Sequence, residues 1–144
     1  MKGTLLQLVF ATAIFALGVW SGKSSNTQAA GKGEGRVFEL RTYTAGDGKL
    51  ESLHSRFRQH TTRLFEKHGM TNIGYWQPTD APLAQNTLIY LLAYPNRDAA
   101  KNAWDAFRND PDWKKVLQES ETNGKLAAKV ESVFLEPTDY SPLK

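Results

Sequence analysis

The chain has 144 residues, with 18 Lys and Arg against 15 Asp and Glu, a formal net charge of +3 and no cysteine. That length accommodates one modest hydrophobic core, and the missing cysteine excludes both a disulfide framework and lipid anchoring through a thiol. Lys2 and Lys23 sit in a first stretch of thirty residues without any acid, so 16 basic and 15 acidic side chains remain beyond it. These are interleaved along the chain rather than clustered, which argues against the basic face of a nucleic-acid-binding domain.

The N-terminus reads Met1-Lys2, an uncharged run from Leu5 to Trp20, and a polar stretch ending Thr27-Gln28-Ala29-Ala30. A basic start, an apolar middle and small residues for peptidase cleavage describe a signal peptide over residues 1–30, cut after Ala29 or Ala30, and hence a periplasmic or secreted protein. The competing reading is a membrane anchor centred on residues 5–20, because Gly3 to Gly22 approaches the roughly 20 residues that span hydrocarbon. Residues 31–35, Gly-Lys-Gly-Glu-Gly, form a linker, and residues 36–144 the folded domain.

Within that domain Arg36 to Thr44 alternates as a strand, with Phe38, Leu40 and Thr42 on one side and Val37, Glu39, Arg41 and Tyr43 on the other. The Phe38 and Leu40 side is expected to meet the helices. Ala45-Gly46-Asp47-Gly48 is a turn in which Asp47 can act as an N-cap. Lys49 to His68 places Leu50, Leu53, Phe57 and Leu64 at helical spacing, with Phe65 on the flank, and Gly69 supplies the C-cap. Met70 to Gln77 is a second strand, Pro78 to Asn86 a loop, and Thr87 to Tyr94 a third strand.

Asn96 caps a helix over Arg97 to Arg108 whose stripe is Ala100, Ala103, Trp104 and Phe107. Asp110-Pro111 opens a shorter helix as N-cap and first-turn proline. Lys129 to Leu135 is the last strand, followed by a Pro-rich tail. The order β, α, β, β, α, β with the second helix in two pieces is the ferredoxin-like arrangement, an α+β fold with a four-stranded antiparallel sheet.

Two helical layers cover one face of such a sheet, and the other face should then alternate with polar residues. Leu88-Ile89-Tyr90-Leu91-Leu92-Ala93-Tyr94 is apolar on both sides, so something must cover the second face. A second copy of the chain, packed as an isologous homodimer, is the expected cover; the alternative is the C-terminal tail with Tyr140, Pro142 and Leu143.

Few residues carry readable chemistry. His54 and His60 stand six apart, about 240° around a helix, and His60 and His68 lie about 12 Å apart along the axis, so no metal site is expected. On helical projection His60 joins Leu53, Phe57 and Leu64 on the core stripe, either hydrogen-bonded within the core or lining a cavity between helix and sheet. His68 is read as a cation at a helix C-terminus.

Glu39, Arg41 and Tyr43 form a row that could anchor an acidic or carbonyl-bearing ligand through the Arg41 fork. The row could equally belong to a cross-strand ion-pair network with Lys129 and Glu131. Trp76 and Tyr90 belong to an aromatic set, with Tyr75, Trp104 and Trp113, that suits either packing or a ligand box. No nucleophilic triad, phosphate loop or paired-carboxylate motif is present.

Taken in order, Val37-Phe38-Glu39-Leu40-Arg41-Thr42-Tyr43, Gly48-Lys49, His68-Gly69, Gly74-Tyr75-Trp76, Leu92-Ala93-Tyr94 and Asp110-Pro111-Asp112-Trp113 resemble the NIPSNAP family over nearly all of Arg36 to Pro137. Asp47 stands where the family commonly has Pro before Gly-Lys. The resemblance implies a dimeric α/β barrel, with no generally established reaction or catalytic residues. The mitochondrial and trafficking roles of eukaryotic members do not transfer to a chain with this leader.

Two functions are therefore expected to compete. One is a homodimeric module binding a small ligand or a protein, with Glu39, Arg41, Tyr43, His60, Trp76 and Tyr90 as candidate contacts. The other is a cofactor-free oxidoreductase, monooxygenase or isomerase acting on a small carbonyl-bearing or aromatic substrate. In that enzyme His60 would be the base, with Arg41 and Tyr43 orienting or polarising a carbonyl. No cofactor is expected; haem on His60 is a weaker idea drawn from other families with related barrels.

Overall fold

A computed structural model describes residues 35–144; the signal-peptide or anchor reading of residues 1–30 falls outside them. Strand β1 (Val37–Ala45) leads into α1 (Leu50–Arg56), a π turn (Phe57–Thr61) and α2 (Thr62–Lys67), which together form one continuous helical rod. There follow β2 (Thr71–Trp76), a short 3-10 turn (Leu83–Gln85), β3 (Thr87–Tyr94), α3 (Arg97–Asn109), α4 (Pro111–Ser120) and β4 (Ala127–Leu135). The sheet runs β2-β3-β1-β4 with all pairs antiparallel, and the ferredoxin-like order expected from the sequence is what forms.

The local signals act largely as read. Gly69 ends the rod at φ 78°, where a side chain would be strained. Asn96 accepts a hydrogen bond from the Ala99 amide at 2.8 Å, and Asp110 accepts one from Asp112 at 2.7 Å. Asp47 does not cap α1. Lys49 occupies that position without a side-chain cap, because the turn closes through its own backbone, from the Lys49 amide to the Gly46 carbonyl at 2.9 Å, with Gly48 at φ 68°.

Asp110 also ties the rod to the α3–α4 corner. Its Oδ2 lies 2.6 Å from His68 Nε2 and 2.8 Å from Lys67 Nζ, and hydrogen bonds from these two groups hold its carboxyl well below the usual range. His68 is thus a partner of a specific carboxylate as well as a residue at a helix end. Asp110→Asn, which keeps the shape but removes the charge, is expected to lower the melting temperature measurably at neutral pH. That difference should shrink as the solution is acidified through the carboxylate range, because a depressed carboxylate stabilises the fold only above its titration.

The core lies between the sheet and the helices: Leu88, Tyr90, Leu92 and Tyr94 of β3, Leu53, Phe57, Leu64 and Phe65 of the rod, and Trp104 and Phe107 of α3 are all buried. The faces of β1 are the reverse of the sequence expectation. Glu39, Arg41 and Tyr43 point at the helices, where the Trp104 and Tyr94 side chains bond Glu39 and Tyr43 packs edge-on to Phe57. Phe38 lies on the other face and is buried beneath the C-terminal tail, sharing a pocket with Leu91, Leu135, Pro137 and Leu143. A charged row can turn inward here because distant elements supply the hydrogen bonds that its burial requires.

The tail covers only this corner. Leu40, Ile89 and Leu91 are half-buried on the same face, Val133 is 56% exposed and Trp76 52%. The Trp76 indole lies against Gly74, where an added Cβ would come within 2.6 Å of the ring. Gly74→Ala is therefore expected to push the indole off the strand into solvent. A red-shifted tryptophan emission component should report this, with little loss of stability.

Candidate functional site

The site is built on β1, whose alternate side chains Glu39, Arg41 and Tyr43 rise under the helical layer. Register sets their neighbours: Arg41 stands opposite Tyr90 of β3 and Ser132 of β4, and Glu39 stands opposite Leu92 and Phe134. Glu39 is almost wholly buried, and both its oxygens are saturated. Oε2 accepts from Tyr94 Oη and Trp104 Nε1, each at 2.7 Å, and Oε1 accepts from Ser132 Oγ and Arg41 Nη1, each at 2.5 Å.

Burial pushes the Glu39 carboxyl up, but the bonds from Ser132, Trp104 and Tyr94 and the charge of Arg41 outweigh it, and the group titrates below the ordinary range. Tyr94, buried and bonded to that carboxylate, is pushed far up and stays a hydroxyl donor.

Arg41 is less completely used. Its guanidinium stacks 4.2 Å from the Trp104 ring, and Nη2 reaches Tyr43 Oη at a long 3.5 Å. Its Nε is buried without a partner, and the hydroxyl of Tyr90 directly across the ladder is buried beside Arg41 and Tyr43 without a well-aligned hydrogen bond. Tyr90 is fully buried among Tyr43, Phe57, Phe65 and Tyr75, with ring centroids 5.2 to 5.9 Å away. Burial, reinforced by Tyr43, holds its hydroxyl protonated well above the usual phenol range. The constellation therefore presents a cationic N–H donor and phenolic hydroxyls in an aromatic surround.

Four of the candidate residues, Glu39, Arg41, Tyr43 and Tyr90, are thus brought together. Two are not. Trp76 lies on the opposite face of the sheet. His60 is half-buried in a groove between the π turn and α4 instead of on the core stripe. The π turn explains the displacement: it is underwound, so each residue advances less than the about 100° of an α-helix, and Thr61 takes the buried position that projection gave to His60.

The expected partners Lys129 and Glu131 pair with each other at 2.9 Å. They stand opposite Thr44 and Thr42 on the face away from Glu39, so the network forms with Ser132, Tyr94 and Trp104 instead. Ser132 carried no signal in the sequence, Tyr94 appeared only in the apolar run of β3 and a family motif, and Trp104 only as an aromatic of a helix stripe and of the set suited to packing or a ligand box. Among the described residues no group of three His, Asp or Glu could hold a metal ion.

A ferredoxin-like α+β domain with helices on one face of its sheet, a buried acid–arginine node beneath them and an open apolar face behind defines the class. The NIPSNAP family model matches residues 38–142, and the chain belongs to that family. A NIPSNAP family protein of unknown function from Agrobacterium tumefaciens superimposes with a TM-score of 0.67 at 19% identity, covering 77% of this chain and 96% of that one. An uncharacterised NIPSNAP-like domain protein from Burkholderia xenovorans does so with a TM-score of 0.65 at 17% identity, covering 76% and 90%.

The fold is also similar to that of SnoaB, a cofactor-independent oxygenase from Streptomyces nogalater, with a TM-score of 0.52 at 13% identity, covering 75% and 98%. None of the curated proteins matches the chain.

Proposed function

We propose that this chain is an exported, homodimeric binding module that holds a small ligand bearing an acidic or carbonyl oxygen against Arg41, Tyr43 and Tyr90. The observation that carries this reading is the buried Arg41 Nε, left without a hydrogen bond, on the residue directly opposite Tyr90, whose buried hydroxyl lies beside Arg41 and Tyr43 without a well-aligned bond. Leaving a buried donor unpaired costs about 1–3 kcal/mol, and a ligand oxygen that reached Arg41 Nε by displacing the side chains packed over it would remove that cost. Glu39 fixes Arg41 from one side and, being saturated, is not itself a ligand contact.

The open sheet face supports pairing, since the tail covers only the Phe38 corner and apolar side chains continue across all four strands. Export is supported by the sequence of residues 1–30, and mass spectrometry of the purified mature chain would locate cleavage after Ala29 or Ala30.

Native mass spectrometry of the full chain, purified without denaturant, tests the ligand reading. A retained small molecule that is lost in Arg41→Ala but kept in His60→Ala is the expected result. Retention unchanged in Arg41→Ala would overturn it, and an empty protein would leave the open face as an interaction surface alone. An enzyme, such as a cofactor-free oxygenase or isomerase, would need a base beside these donors; Glu39 is a depressed, fully bonded carboxylate and His60 faces another groove. Turnover abolished in Arg41→Ala with binding preserved would move the assignment to that class.

A further inference from the structure

The helical layer carries a second feature that the constellation beneath it does not use. Between the π turn and α4 lies a groove of about 340 Å³, within the range of small-molecule sites. Ser55, Arg56, Gln59 and His60 line one side, and Glu119 and Leu126 the other. It is made by the π turn: Thr61 and Thr62 hydroxyls donate to the Arg56 and Phe57 carbonyls, each five residues back, at 3.3 Å. The underwinding swings Gln59 and His60 away from the sheet toward α4. Such turns recur at functional positions.

The inner wall is Arg56, whose side chain is 5% exposed. Its Nη1 donates to Glu121 Oε1 at 2.9 Å and to Ser120 Oγ at 3.3 Å, and its guanidinium lies 5.3 Å from the Trp113 ring centroid. This holds the guanidinium in place, yet its Nε is buried with no partner. A structural tie between α1 and the end of α4 accounts for Nη1 and for the stacking, but it leaves the Nε donor unexplained.

Charge narrows what the groove could hold. Arg56 is balanced by Glu121, and Glu119, paired at 4.0 Å with Lys115, adds a carboxylate at the rim. An anion entering here would meet two carboxylates, each already paired with a cation, Glu121 with Arg56 and Glu119 with Lys115. A neutral molecule finds donors and acceptors interleaved: the Gln59 amide for its oxygens, Glu119 and the Ser55 hydroxyl for its own hydroxyl hydrogens, and Leu126 for its carbon skeleton.

We infer that this groove binds a small neutral polyhydroxylated molecule, of the size and chemistry of a monosaccharide or cyclic polyol. It lies on the helical side of the domain, so a partner on the open sheet face would leave it accessible.

The test is heteronuclear NMR on the isotope-labelled chain, titrated with glucose, myo-inositol and glycerol, and with glucuronate as the charged counterpart. At least one neutral probe is expected to give saturable amide shifts confined to Ser55, Gln59, His60 and Glu119. Glucuronate should bind several-fold more weakly than glucose. Gln59→Trp, at an exposed position where an indole would fill the groove, should abolish the shifts while leaving circular dichroism and melting unchanged.

The inference is overturned if no neutral probe saturates those resonances at high millimolar concentration, if glucuronate binds more tightly than glucose, or if the shifts persist in Gln59→Trp. None of these outcomes depends on Arg41, so this site and the one beneath the helices can fail separately.

Discussion

Glu39→Ala is expected to lower folding stability by about 3–5 kcal/mol, because it removes the anion around which a buried charged network is built. Four donors converge on this carboxylate, from Arg41 two residues away, Tyr94 on β3, Trp104 on α3 and Ser132 on β4. Truncation leaves the Arg41 guanidinium buried against Trp104 without its counter-charge, and it orphans the Tyr94 and Trp104 donors together. Against a total stability of about 5–15 kcal/mol for a domain, that loss should bring much of the population near unfolding. Urea denaturation monitored by circular dichroism measures it, and a loss below about 1 kcal/mol would show that the network is dispensable.

The same residue gives a signed pH dependence. The folded state holds Glu39 below its ordinary value of 4.5, so its contribution is complete above that value and is lost as pH falls through the folded-state titration. Wild-type stability should therefore decline on acidification below about pH 5. Glu39→Gln should be less stable at neutral pH yet show a shallower decline, with Asp110 supplying the slope that remains. A Glu39→Gln profile parallel to wild type would contradict the assignment.

Leu91→Asp is expected to turn the proposed homodimer into a monomer at micromolar concentration, with a melting temperature that is lower and no longer depends on protein concentration. Leu91 is half-buried on the open face, opposite Leu40, which in turn stands opposite Val133. In the single chain a carboxylate there would retain access to water. In the proposed isologous pair it would be desolvated twice over, once for each subunit, and burying an unpaired charge costs several kcal/mol. A hundredfold weakening corresponds to about 2.7 kcal/mol, so a larger shift is anticipated.

Light scattering coupled to size exclusion distinguishes the outcomes. A monomeric wild type would remove the pairing proposal, and a dimeric Leu91→Asp would place the interface elsewhere. Trp76, half-exposed on that face, should report pairing as a blue shift that Leu91→Asp abolishes.

Much of the fold was legible because its signals are local. Alternation marks strands and a 3.6-residue stripe marks helices, and the Asn96 and Asp110 caps and Gly69 act within a few positions of themselves. The doubly apolar β3 announced an uncovered face from composition alone. The family was legible too, through an ordered set of short motifs spread along the domain. Of the site, the sequence showed the row Glu39, Arg41, Tyr43 as a unit, since a period of two puts them on one face whatever their surroundings.

Which way that face points could not be read. Alternation divides a strand into two sides but does not orient them, and a charged side is ordinarily solvated. Glu39 faces inward only because Trp104, 65 residues on, and Ser132, 93 residues on, bring donors to it, and no local pattern encodes those meetings. His60 shows the same limit within one element: a regular projection assumed about 100° per residue, and a single π turn, fixed by how the rod packs against the sheet and α4, moved it out of the core and into a groove. The sequence by itself determined the elements, their order and the row of side chains on β1. The tertiary structure alone decided which face is buried, which donors saturate Glu39 and which are left free on Arg41 and Arg56, because those depend on contacts between segments far apart in the chain.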